Sequence, residues 1–259
     1  PIWAEDFDPY AGPTPIAVLI QTNPWASVLD ADTPLVVVYE NGEVIFVKRV
    51  DGKYGYQHTT LTEDGLKQFR KDLEPVVSLG DLRPWYSMTP QATDQPISMF
   101  YLRNQERVAT SRVYGLRVPG TGAMAYTHLP NSPKPDVPPI ALRRLHKRLY
   151  RGDFPGGSAW TPKYIEVMFS NYDNAPDASI QWPTDWPGLD SERALKRGDS
   201  YSIFLDIDMV PKLSEFLKNR NPKGAIELGG KKWGLSTRAV FPREPVWRKA
   251  LWGVADENQ

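Results

Sequence analysis

The stretch from Thr33 to Arg49 reads TPLVVVYENGEVIFVKR: two apolar runs, 35–39 and 44–47, parted by Glu40-Asn41-Gly42-Glu43. Asn-Gly between such runs is the strongest short-range hairpin signal, because both central residues of a type I′ turn need φ > 0 and Asn and Gly tolerate it best. The β-branched flanks suit a pleated, half-buried surface. A hairpin is therefore predicted here, with a type I′ turn at Asn41-Gly42.

The rest of the chain repeats the theme. Ile16 to Ile20 is a short β-branched run bounded by Pro15 and Asn23-Pro24, a buried strand. Asp51-Gly52 turns the chain into a third strand at 54–59. Thr62 then stands as the N-cap of a helix, with Glu63 and Asp64 in its first turn and Leu66, Phe69 and Leu73 on one face. Pro75 is expected to end it. Residues 80–96 read as a connection. A second strand pair, 97–102 and 108–118, leads through a Pro-rich loop, 119–139, to a helix at 139–150 with Leu142, Leu145 and Leu149 on one face. Arg151 to Ser158 is the best candidate boundary, dividing the chain into 1–150 and 151–259. Beyond it come a strand at 164–169, a long irregular excursion, a strand at 202–205, a helix capped by Asp208, and a last hairpin turning at Gly229-Gly230. Hairpins followed by helices predict an α+β fold of mainly antiparallel sheet. Leu66-x-x-Phe69 and Leu213-x-x-Phe216 hint at a loose internal duplication, although amphipathic helices produce that pattern readily.

Composition removes whole classes of function. With 259 residues, 41% hydrophobic and 24% charged, the chain has enough apolar material for a sizeable core. Lys+Arg and Asp+Glu balance at 31 each, so no global field favours nucleic acid. No apolar run approaches the roughly 20 residues needed to span a bilayer. Cysteine is absent, which removes disulfides, thiolate metal sites and cysteine nucleophiles. A start at Pro1-Ile2-Trp3 and a stiff chain with 25 Pro, 9 Trp and 12 Tyr favour a processed, exported protein, periplasmic or extracellular.

The segments PLVVVYENGEVIFV, YGYQHTTLTEDGLKQF, TPKYIEV, WPTDWPGL, FLDIDMVPKLSEFL and GGKKWGLSTRAVFP together carry a resemblance. In layout, and in several Trp-Pro and Gly positions, the chain resembles a group of uncharacterised bacterial exported proteins. The resemblance implies export and no particular activity.

Candidate chemistry is sparse. His58, His128 and His146 fall in three different elements, with no H-E-x-x-H or helical His pair. His58 reads as a sheet histidine and His146 as part of a solvated helix face; His128, in the Pro-rich loop, has the most suggestive setting. Nucleophile-elbow, P-loop and dinucleotide motifs are all missing. Asp206 and Asp208, at a strand-to-helix junction, are the weak candidates for a metal, with helix capping the plainer role for Asp208. Asp173, Asp177, Asp185 and Asp190 match no EF-hand spacing. No cofactor is implied.

Two features point to binding. Arg143, Arg144, Lys147, Arg148 and Arg151 crowd one helix without an acid: a docking face for an acidic partner, or a solvated face whose acids come from elsewhere in the fold. Trp85, Tyr86, Trp160, Trp182 and Trp186 lie in loops, where indoles stack on sugars, anchor an interface, or pack as lids over the sheet. Three functions follow: a non-enzymatic interaction or accessory protein, with another protein as its partner; a module that binds polysaccharide; or a hydrolase using carboxylates that converge only in the fold.

Overall fold

Local chemistry makes the predicted hairpin, with one change. In the computed structural model, which describes residues 7–22, 33–50, 52–78, 80, 82–117 and 133–253, β2 (Pro34–Tyr39) and β3 (Glu43–Val50) pair antiparallel with Val36 opposite Phe46 and Val38 opposite Val44. The turn is not type I′. Gly42 has φ +88° while Asn41 stays at negative φ, and the Gly42 N–H donates to the Tyr39 carbonyl at 3.0 Å. A type I turn thus ends in a left-handed glycine, the usual three-residue hairpin loop. The longer loop lets its neighbours bind it: the Glu40 N–H donates to the Thr14 carbonyl at 2.9 Å, and the Gly42 carbonyl accepts from the Leu61 N–H at 2.8 Å.

The chain forms two compact units, one of Pro13–Trp160 with Pro245–Gly253, the other of Thr161–Glu244 with residues 7–12. In the larger unit β1 (Pro15–Thr22), β4 (Lys53–Thr60), β5 (Trp85–Ser87), β6 (Ile97–Asn104), β7 (Arg107–Tyr114) and β8 (Ser158–Ala159) join the hairpin in one eight-stranded sheet, ordered β5-β7-β6-β1-β2-β3-β4-β8. Both hairpin-then-helix units of the sequence therefore share a sheet. β1 sits at its centre, and its run Ile16 to Ile20 is buried throughout, as a strand covered on both faces must be. Only β5–β7 is parallel.

Helices α1 (Glu63–Val77) and α2 (Ile140–Arg151) cover one face of this sheet: Phe69, Leu73, Leu142, Leu145 and Leu149 pack with Leu19, Val38, Phe46 and Phe100. Thr62 caps α1, its Oγ1 accepting from the Gly65 N–H at 3.1 Å. Pro75 does not stop α1, which runs on to Val77 because Val76 and Val77 are buried against the sheet and hold the last turn. Gly152, at φ +58°, ends α2 in the left-handed cap that glycine favours.

The smaller unit is a six-stranded sheet of β9 (Tyr164–Asn171), β10 (Asp177–Gln181), β11 (Ala194–Arg197), β12 (Ser200–Asp206), β13 (Gly224–Leu228) and β14 (Lys231–Ala239), ordered β10-β13-β14-β9-β12-β11. Here the two-residue turn does appear, with Gly229 and Gly230 at φ +61° and +74°. The excursion expected to be irregular holds two strands, β10 and β11; the first lies parallel to β13. α3 (Val210–Lys218) packs on one face. Asp208 does not cap it: a 3-10 turn, Ile207–Met209, precedes it and Met209 takes the cap position, with no side-chain bond. A final helix, α4 (Glu244–Trp252), was not predicted from the sequence. The fold is α+β with mostly antiparallel sheets.

Candidate functional site

The α2 sequence, IALRRLHKRLYR, turns Leu142, Leu145, His146 and Leu149 inward at i, i+3, i+4 and i+7. That phase leaves Arg143, Arg144, Lys147 and Arg151 exposed. Arg148 leans toward α1, ion-paired with Asp72 and with its guanidinium 4.9 Å from the centre of the Phe69 ring. The exposed side of α1 adds Lys67 and Lys71. Of the nearby acids, Asp72 is held by Arg148 and by Gln68 at 3.0 Å and Glu74 by Ser78 at 2.6 Å and by Asn104, while Glu63 and Asp64 stand exposed in the first turn of α1. Among the described residues, Arg143, Arg144, Lys147, Arg151, Lys67 and Lys71 make no ion pair.

Local helix energetics account for only part of this pattern: Arg148 and Arg151, in the last turn, suit the negative end of the helix dipole. The first turn of α2 has no acid and its cap, Pro139, makes no side-chain bond, yet Arg143 and Arg144 stand close to that positive end of the helix dipole. Cations there are mildly unfavourable, so helix stability does not explain them. Between the helices lies a groove of about 480 Å³, lined by Lys71, Pro75, Ile140, Ala141, Arg144 and Leu145 among others. A second, shallower depression of about 580 Å³ crosses α1 to Asn104 and Gln105 at the β6–β7 turn. Lys71 borders both.

His146 corrects the sequence reading. It is 1% exposed rather than solvated, with Nε2 3.4 Å from the Ser98 Oγ and the ring edge-on to Phe100. Its spacing from Leu142, Leu145 and Leu149 was the available signal. Burial pushes its pKa down to about 4, so the ring is neutral near pH 7 and does not add to the basic face.

The loop aromatics go to different places. Trp182 is 4% exposed: its indole N–H donates to the Pro187 carbonyl at 3.0 Å, and its ring packs edge-on to Phe169, Trp186 and Phe216. Trp186 is half-buried in the same cluster. This loop is core, folded inward because its two indoles complete the apolar face under α3. Tyr86 is buried too, its hydroxyl accepting from the Arg83 N–H at 3.0 Å. Trp160 is half-buried edge-on to Tyr56. Trp85 alone of these rings is exposed, at 46%, and stacks on Tyr114. His128 lies outside the described residues.

Asp206 is held by Arg193 at 2.7 Å, and the described residues contain no group of three acids or histidines placed to hold a metal. His58 contacts Glu43 at 3.2 Å on the sheet. One network was not foreseen. Glu166 accepts from the Ser202 hydroxyl at 2.5 Å and from Arg197 at 3.2 Å, and Arg238 bridges it to Glu244. Arg197 also reaches the Tyr10 hydroxyl at 3.1 Å, and burial, with Glu166 and Glu244 nearby, raises that hydroxyl far above the ordinary phenol range. Both carboxylates are 1% exposed; Glu244 also accepts from the Phe241 N–H at 3.4 Å, and the network ties neighbouring strands together.

Compared with protein-family models, curated proteins and solved structures, the chain matches none. The basic two-helix face therefore stands on its own geometry.

Proposed function

We propose that the chain is a non-enzymatic interaction protein that docks an acidic protein partner on the outer face of α1 and α2. One observation carries the reading: six exposed cations of α1 and α2 make no ion pair among the described residues, against two exposed acids, Glu63 and Asp64, at the start of α1. An excess of surface charge of one sign steers an oppositely charged partner and suppresses like-charged ones. The helices are seated on an eight-stranded sheet, so the face is presented with little to reorganise. The sequence layout supports placing this docking in the periplasm or outside the cell.

Affinity purification from the native host tests the proposal. The wild-type chain should retain an acidic protein in stoichiometric amount, released as salt rises because the contacts are exposed charges. An Arg143→Glu, Lys147→Glu, Arg151→Glu variant should retain none of it. Equal retention by the two chains, or release indifferent to salt, would reject the reading.

A second reading attaches to Trp85, whose exposed ring backed by Tyr114 is a platform on which a sugar could stack. Retention on a polysaccharide column, lost in Trp85→Ala and kept in the charge-reversed variant, would favour it.

A further inference from the structure

We infer that the groove between α1 and α2 receives an acidic peptide segment, one apolar side chain of which seats among Pro75, Ile140, Ala141 and Leu145 while its carboxylates face Lys71 and Arg144. The inference rests on the docking function proposed above and deepens it by naming the class of partner segment.

Two features of the groove select this occupant. Its floor is apolar and open: Ile140, the first residue of α2, is 57% exposed although it borders a layer whose other apolar side chains are largely covered. Its rim is cationic, with Lys71 on α1 and Arg144 on α2, and the exposed charges of α2 continue outward from it. A peptide supplies an apolar side chain and carboxylates together. Its anchor gains by leaving water, and its charges fix the orientation.

Other anions fit less well. A phosphate polymer has no aliphatic group for Ile140 and Ala141. An anionic membrane is met by apolar side chains standing beyond the cations, whereas here the apolar residues line a depression.

The test uses the full chain and three probes in low salt: a labelled peptide of alternating Glu and Leu, a polyglutamate of equal length, and vesicles rich in an anionic lipid. The Glu–Leu peptide should bind about tenfold more tightly than polyglutamate, the gain expected from burying one anchor side chain. Ile140→Ser should reduce that preference to less than about twofold while polyglutamate binding stays unchanged. Arg144→Glu should weaken both peptides. Ile140 is exposed, so an unchanged urea midpoint for Ile140→Ser would separate loss of the anchor from loss of fold. Equal affinity for the two peptides, no binding of the Glu–Leu peptide, stronger binding to vesicles, or indifference to Ile140→Ser overturns the inference. If polyglutamate nevertheless binds the wild type and not the charge-reversed variant, the docking face survives and only the groove assignment fails.

Discussion

His146 and Trp182 are two polar-edged rings that the fold uses for packing. For His146 the folded pKa, about 4, lies below the unfolded value near 6.5. Between those values the unfolded chain takes up a proton that the folded chain refuses. Stability from this group is therefore complete above about pH 6.5 and is lost as pH falls toward 4, a total of about 3 kcal/mol. Urea midpoints measured from pH 7.5 to 4 should fall less steeply in His146→Gln than in the wild type; identical slopes would mean that the ring titrates normally in the fold. Trp182→Ala should cost about 3–5 kcal/mol, the range for emptying a buried indole site. A midpoint unchanged by that substitution would contradict the aromatic cluster under α3.

At the scale of elements, α2 carries a conflict between stability and charge. Arg143 lies near the positive end of a helix with no acid in its first turn. Arg143→Glu should therefore hold or raise the urea midpoint while weakening retention of an acidic partner; a lowered midpoint would show that the arginine has a structural role. This element also marks how far the sequence could be read. The hairpin, the Thr62 cap and helices α1 and α2 were legible because their signals are local: turn residues, a cap, a period. The five cations of α2 were legible for the same reason. Lys67 and Lys71 join them only because α1 and α2 lie side by side, and the cations flanking His146 mask the i, i+3, i+4, i+7 phase that buries it. β5, β8, β10 and β11 are two to five residues long and poor in β-branched side chains. Most of their partners lie far along the chain, as β13 does for β10, so no local pattern announces them; β11 is the exception, joined to β12 by the two-residue turn at Gly198-Asp199. For α4 a signal existed and went unread: Pro245 in the first turn, with Trp247 and Leu251 four apart and both buried.

Across the whole molecule, apolar and ionic material is spent differently in the two units. The smaller unit encloses its indoles around Trp182 and its charges around Glu166, with acids and guanidiniums matched. The larger unit encloses a neutral histidine under α2 and leaves four of that helix's five cations, all but Arg148, outside without an ion pair among the described residues. Docking is accordingly expected on the α1–α2 layer and not on the Trp-bearing loop, whose rings already have partners. The most direct test is amide hydrogen exchange of the chain with and without the acidic protein retained from its native host. The account predicts slower exchange across Glu63–Val77 and Ile140–Arg151 on binding, with 177–190 unchanged. Protection confined to 177–190 or to Trp85–Ser87, with both helices exchanging as before, would contradict it.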